Sequence, residues 1–364
     1  MPIPLRLRSG TREKSTMEKY DHTFQYAHPF RLEAGGSLPG FQLHYTTVGK
    51  LNHDRSNIIW VCHALTGNSD FTEWWGDLFR EGSTFDPRHY FIICANMLGG
   101  CYGSTGPLDV NHETGKPFHH DFPVLTNNDI VAAFDLLRQE LRIDKIHTLL
   151  GGSLGGQQVL TWAVQKPDLF EHIIPMACNA FHSPWGIAFN EAQRMAIAAD
   201  SSWKEAHNLA GAEGLKAARA IGMISYRHYD TFNQTQAEKT NDKLDDFRAA
   251  TYQRYQGQKL VDRFNAFTYW TFTKVMDSHN VGRNRVSVKE ALARITAKTL
   301  VISIDSDILF PPSEQKFLAE YIPHAQHREI TSLYGHDGFL VEFDQLDAIL
   351  KQFYQQKKLS TVLS

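Results

Sequence analysis

The chain has 364 residues, of which 42% are hydrophobic and 21% charged, and its formal net charge is −3. This is the make-up of an ordinary folded protein, long enough for one large domain or a domain with a sizeable insertion. A slightly negative chain has no general attraction for nucleic acid or an anionic membrane surface, and no apolar run reaches the ~18 residues of a membrane helix.

Residues 1–24 read as a disordered tail. Arg6, Arg8, Arg12, Lys14 and Lys19 fall there without an apolar stretch, which argues against a secretory signal; Met17 is an alternative start. Phe30–Glu33 and Phe41–Thr47, separated by Gly35-Gly36-Ser37, read as an antiparallel hairpin. The runs at 57–63 and 90–96 are continuously apolar, the pattern of strands buried on both faces of a parallel sheet. Ala64-Leu65-Thr66-Gly67 follows the first, and His63 reads as a structural histidine holding that loop. A loop with four glycines, 97–107, follows the second and reads as a pocket wall. His119-His120 do not suggest a metal site, because adjacent residues on extended chain face opposite ways. Thr126–Leu141 has a helical apolar face, with Asn127 or Asn128 as cap.

Cys62, Cys94 and Cys178 lie in apolar strand-like runs, and Cys101 lies in the glycine-rich loop. With no C-x-x-C pair, neither a zinc site nor a disulfide framework is suggested, and a reducing cytoplasm fits best.

The centre of the chain is Ile146-His147-Thr148-Leu149-Leu150-Gly151-Gly152-Ser153-Leu154-Gly155-Gly156. An apolar strand ends in G-x-S-x-G and a helical pattern over 157–165 follows, the setting of a nucleophilic serine on a tight strand-to-helix turn. Glycines at 151 and 155 remove Cβ atoms that would collide in so sharp a reversal. The Leu154 N–H, at the helix start, can donate to a developing oxyanion, and the Leu65 N–H is the candidate second donor. Strand 172–178 comes next.

From about 181 to 296 no parallel strand is evident. Helical patterns cover 183–198, 214–221, 242–264 and 266–276, the first with Trp185, Phe189, Ala192 and Ala196 on one face. This stretch is too long for a loop and reads as a helical cap inserted into the sheet domain. The organisation is thus 25–180 and 297–364 as an α/β core, with 181–296 as the insertion. The sheet resumes at Thr299–Asp307, and the last strand, Arg328–Thr331, leads to Tyr334-Gly335-His336-Asp337.

A serine nucleophile needs a base, and the base needs an orienting carboxylate. In the α/β-hydrolase order, serine is followed by the acid and then by histidine. Asp305 and Asp307 end one strand and His336 follows the final one. Asp307, beyond the strand end, is the better acid, and Asp305 the better rim residue.

These residues belong to a longer run of motifs. They include Cys62-His63-Ala64-Leu65-Thr66-Gly67, Leu98 to Pro107, Ala188 to Arg194, Ser225-Tyr226-Arg227, Tyr255-Gln256-Gly257, Asp307 to Pro312 and Tyr334-Gly335-His336-Asp337. The chain resembles the homoserine O-acetyltransferases of the α/β-hydrolase superfamily, enzymes of methionine synthesis, from about residue 25 to 355. The resemblance implies Ser153, Asp307 and His336 as the catalytic triad, Arg227 on the homoserine carboxylate and Asp337 on its ammonium. It also implies L-homoserine and acetyl-CoA as substrates with no bound cofactor or metal, and a homodimer formed through the helical cap. A guanidinium fork suits a carboxylate, and a carboxylate suits an ammonium. The family usually has Met where this chain has Leu154; a backbone donor is expected to tolerate the change. A homoserine or serine O-succinyltransferase, and a serine esterase, are the alternatives on the same scaffold.

Overall fold

The computed structural model describes residues 18–360. The expectation about Met17, and most of the expected tail, lie outside this range. Among the described residues the main sheet has eight strands: β1 (Lys19–Tyr26), β2 (Phe41–Val48), β3 (Ile58–Cys62), β4 (Phe91–Ala95), β5 (Ile146–Gly152), β6 (Phe170–Met176), β7 (Lys298–Ile304) and β8 (Gln326–Ile330). Their spatial order is β1-β2-β4-β3-β5-β6-β7-β8. β1 and β2 pair antiparallel, as do β2 and β4, and the other neighbours run parallel.

Burial explains what the apolar runs predict. β3 is wholly buried and β5 and β6 nearly so, because helices cover both faces. β1 differs. It is an edge strand with mostly exposed side chains, so residues 19–24 belong to the sheet although their polar composition reads as tail. The expected hairpin also differs. Phe30–Arg31 pairs with Ser37–Leu38 in a separate small ladder, while Phe41–Val48 pairs with β1 and β4.

Helix α1 (Asn127–Glu140) is capped by Thr126 rather than an asparagine. The Thr126 side chain accepts from the Asp129 N–H, and Asp129 accepts from the Thr126 N–H, forming a capping box. Helix α2 (Leu154–Gln165) starts three residues earlier than its apolar pattern and is buried over nearly its whole length. Trp60, Phe134 and Trp162 meet between β3 and these two helices.

Between β6 and β7 the chain leaves the sheet. It forms α3 (Pro184–Ala198), α4 (Ala212–Tyr226), α5 (Tyr229–Gln236), α6 (Arg248–Val261), α7 (Ala266–Asp277) and α8 (Val288–Ala293). The excursion has a defined neck. Phe181 and Asn280 form an isolated antiparallel bridge, His182 donates to the His279 carbonyl at 2.9 Å, and Val281 donates to Ala180 at 2.9 Å. Residues 282–296, expected within the insertion, lie beyond this neck. There α8 packs on α2 and on α9 (Pro312–Tyr321), with Ala291, Leu292 and Ile295 fully buried. The final helix is α10 (Phe343–Ser360).

Candidate active site

Ser153 sits between the end of β5 and the start of α2, with φ 59° and ψ −127°. A non-glycine residue in this region is strained, and the surrounding chain must hold it there. Its N–H donates to the Met176 carbonyl of the neighbouring strand at 3.0 Å. The turn is tight enough to dictate its glycines. A Cβ on Gly155 would lie 2.2 Å from the Cys62 carbonyl oxygen, and one on Gly151 would lie 2.7 Å from Gly155 backbone.

The loops after β7 and β8 bring the acid and the histidine to this serine. His336 Nε2 is 2.8 Å from Ser153 Oγ, and His336 Nδ1 is 2.7 Å from Asp307 Oδ2. The other carboxylate oxygen of Asp307 accepts from the N–H groups of Leu309 and Phe310 at 2.8 and 2.9 Å. All three side chains are buried, and the His336 ring is stacked on Phe310 at 5.1 Å and edged by Phe339 at 5.6 Å. Burial alone lowers the affinity of His336 for a proton. The charge and hydrogen bond of Asp307, with a further contribution from Asp337, outweigh it and raise its pKa above the ordinary histidine value. Asp305 does rim work instead, its Oδ1 accepting from the Ser332 N–H at 3.1 Å.

A cavity of about 210 Å³ opens onto Ser153 and His336. Leu65 lies on its wall, in a turn closed by the Gly67 N–H donating to the Ala64 carbonyl at 2.9 Å. Leu154 is the first residue of α2, where an N–H has no partner within the helix. His63 is buried and its pKa is lowered to about 4 by burial, so it is neutral. Its Nε2 accepts from the Met97 N–H at 3.2 Å, leaving Nδ1 to donate to the Ala64 carbonyl at 2.9 Å.

The charged residues expected on the acceptor divide. Asp337 lines the cavity, and Arg227 meets Asp337. Arg227 caps the end of α4, where the backbone of 226–228 packs against the Gly335 turn. Its Nε is 3.1 Å from Asp337 Oδ2 yet lies off the N–H axis, so the two form an ion pair without a well-directed hydrogen bond. Its guanidinium carbon lies 5.4 Å from the Tyr334 ring centre. The arginine that α4 does present to the cavity is Arg219, two turns earlier, with its guanidinium carbon 5.4 Å from the Tyr226 ring centre. The spacing of 219 and 226 puts both on one helical face, a signal available in the sequence but not used there. Arg263 also lines the cavity.

His119 and His120 do not converge. His119 Nε2 is 2.8 Å from Asn208 Oδ1, and His120 Nε2 is 2.7 Å from the Trp203 carbonyl, so both tie the core to the insertion. The cysteines are unpaired, with Cys62, Cys94 and Cys178 buried. Among the described residues no helix is long and apolar enough to cross a membrane.

Sheet order, a strained serine at the β5–α2 turn, and an acid and histidine from later loops define an α/β-hydrolase-fold protein equipped for acyl chemistry at serine. The family model of the alpha/beta hydrolase fold matches residues 57–343. The chain is 51% identical over 339 residues to the homoserine O-acetyltransferase of Cyclobacterium marinum, covering 93% of this chain and 96% of that one. It is 43% identical to the homoserine O-acetyltransferase of Chlorobaculum tepidum, covering 92% and 94%. In structure it is similar to the homoserine O-acetyltransferase of Staphylococcus aureus, with TM-score 0.77 and 29% identity over 93% of this chain and 95% of that one. This chain belongs to the homoserine O-acetyltransferase family. An acetylester hydrolase from Corynebacterium glutamicum shares the fold as well, with TM-score 0.82 and 25% identity over 92% and 96% of the two chains, so acceptor choice has to be argued from the cavity.

Proposed function

We propose that this protein transfers an acetyl group from acetyl-CoA to the hydroxyl of L-homoserine through an acyl-serine intermediate. The observation that carries the reading is the hydrogen-bonded chain Ser153–His336–Asp307 at a cavity that also holds an arginine and a carboxylate. His336 takes the Ser153 proton as Oγ attacks the thioester carbonyl, and the N–H groups of Leu65 and Leu154 hold the oxyanion. The intermediate collapses, His336 gives its proton to the departing thiol, and Ser153 keeps the acetyl group. Homoserine then enters, its hydroxyl loses a proton to His336, and the acyl-enzyme is attacked in the reverse sense.

A transferase must favour its acceptor over water by position. Asp337, next in sequence to the base, suits the ammonium. Arg219 takes the place first expected for Arg227, since it reaches the cavity and can meet the carboxylate. Arg227 then serves as a neighbour that orients Asp337. A succinyl donor would ask for one more cation. The other arginine on the wall, Arg263, is held by Thr66 and Tyr102, which favours the acetyl group.

The inserted helices act as a cap over the cavity, and a homodimer through them fits the exposed Met195, Ile224 and Tyr255 on α3, α4 and α6. The cytoplasm is the compartment that suits both substrates and unpaired cysteines.

The test is a thiol-release assay with acetyl-CoA and succinyl-CoA, each with homoserine, serine or no acceptor. Acetyl-CoA with homoserine should be fastest by at least about tenfold. Equal rates with and without homoserine would make the protein a hydrolase.

A further inference from the structure

Arg263 lies just beyond the end of α6, on the insertion, yet its contacts are to the core. Its Nη1 donates to the Thr66 carbonyl at 2.7 Å and to the Tyr102 hydroxyl oxygen at 2.7 Å, while Nη2 lies 3.5 Å from Thr66 Oγ1. Thr66 belongs to the turn that carries Leu65. The core grips that turn at its start through the His63 ring on the Ala64 carbonyl, and the turn closes on itself through the Gly67 N–H on the same oxygen, at 2.9 Å each. Both bonds converge on the carbonyl of the turn's first residue. Arg263 grips the opposite side, and from the insertion.

We propose that Arg263 is a positioning residue that fixes the 64–67 turn so that the Leu65 N–H meets the oxyanion. This rests on Leu65 being an oxyanion donor. An oxyanion hole works only if its donors are in place before charge develops, and displacements of a few tenths of an ångström matter. A planar guanidinium can hold two acceptors in fixed directions, whereas an ammonium on a flexible stem cannot. One consequence is that the insertion is coupled to the first chemical step as well as to acceptor choice. Tyr102 makes the third corner. Its carbonyl accepts from Asn96 Nδ2 at 2.5 Å and its ring lies 6.0 Å from that of Phe264, so the glycine-rich loop and the oxyanion turn share one anchor.

A charged residue at a cavity wall could instead recognise phosphates of the donor, and the test separates the two. Single-turnover acylation of Ser153 is followed with acetyl-CoA and with p-nitrophenyl acetate, which carries no phosphate, in wild type, Arg263→Met and Arg263→Lys. Positioning predicts that Arg263→Met slows acylation by both donors alike, about 10–100-fold, somewhat less than deleting an oxyanion donor outright. Arg263→Lys should recover part of this, and KM for homoserine should stay within about twofold. A loss confined to acetyl-CoA, or no loss with either donor, overturns the proposal. If Arg263→Met does not fold, Arg263→Lys carries the same two-donor comparison. Wild type that is acylated by both donors but ignores homoserine would overturn the acceptor reading alone and leave this inference standing.

Discussion

The sheet domain and α3, the first of the inserted helices, bury different kinds of surface. In the sheet domain, α2 is buried over nearly its whole length, among apolar side chains except around Gln157, and the strands beside it are rich in Ile and Leu. In the insertion, α3 turns Asn190, Gln193 and Arg194 inward, while Trp185 and Met195 are 53% and 64% exposed. Arg194 Nη2 donates to Asp277 Oδ2 at 2.5 Å and Asn190 Nδ2 to Asp277 Oδ1 at 2.8 Å. His182, whose pKa burial lowers to about 4, lies between Gln157 of α2 and Asn190 of α3, 3.3 and 3.2 Å from their amides. Apolar burial is non-directional and tolerates small shifts. A buried polar contact is costly unless its partner is in place, so it fixes one orientation. In the proposed reading the sheet domain carries the triad and Asp337, while the insertion supplies Arg219 to the acceptor and Arg263 to the oxyanion turn.

The largest effects test the sheet domain. Ser153→Ala should abolish acyl transfer and leave the fold intact. Brief mixing of wild type with acetyl-CoA should add one acetyl group to the peptide containing Ser153, read by mass spectrometry; acetyl on any other peptide would sink the mechanism. Asp307→Asn should lower kcat by about 10²–10⁴-fold, because the imidazole loses its orienting charge. Asp305→Asn should cost far less, since its bond to the Ser332 N–H only braces the rim. The reverse ranking would put the acid in the wrong place.

The next effect tests the insertion. Arg219→Ala should lower kcat/KM for homoserine by about 10²–10³-fold, since an unpaired charge on the ligand costs a few kcal/mol when desolvated. The burst of thiol from acetyl-CoA should persist. Arg227→Ala should cost less, through a loosened Asp337. If Arg227→Ala is the worse of the two, the cavity wall has been misread. A lost burst in Arg219→Ala would mean that Arg219 serves the donor or the fold of the insertion and not the acceptor.

A smaller effect links the regions through pH. His336 must be neutral to act as base, and its pKa is raised, so acylation should fall as pH drops through a value above that of free histidine. Asp337 contributes to that rise. Asp337→Asn should therefore move the acid limb of acylation by p-nitrophenyl acetate to lower pH. An unmoved limb would remove Asp337 from the electrostatics of the base.

The same contrast decides what was legible in the sequence. Ser153 and Asp307 are readable because each follows an apolar, buried strand, and His336 because it follows the last strand in the order serine, acid, histidine; strand ends of one parallel sheet converge on one edge. β1 was missed because an edge strand needs no apolar alternation when its side chains stay in water. In the insertion the helical pattern covers 214–221, whereas α4 runs on to Tyr226, so Arg219 and Tyr226, two turns apart, do not read from the sequence as one cavity-facing set. Arg227 lies one residue past that helix, with its guanidinium paired to Asp337. The apolar face expected for α3 is only half-buried: Phe189 and Ala196 pack against the core, Trp185 is exposed, and the fully buried side is mostly polar. Periodicity detects hydrophobic stripes and is blind to a hydrogen-bonded network assembled from four separate segments.

The smallest effect probes the point where the two regions touch. Glu314 lies in the first turn of α9, and its Oε2 accepts from Asn179 Nδ2 at 3.1 Å. Burial, and then the nearby charge of Asp307, raise its pKa from the ordinary 4.5 to about 7, against hydrogen bonds from Asn179 and Ser183 that lower it. The folded protein therefore binds this proton more tightly than the unfolded chain. Between about pH 4.5 and 7 the folded state holds more protons, so the stability this group contributes is present at acid pH and is lost as pH rises through its folded pKa. Glu314→Gln keeps the hydrogen bond and removes the titration. Its Tm relative to wild type should rise between pH 5 and pH 8, by about 2 °C for a chain of this size. The helix N-terminus favours the anion and works against this shift. A Tm difference that is the same at both pH values would mean that Glu314 ionises as an ordinary surface carboxylate, and that the floor beneath Asp307 is wetter than its packing implies.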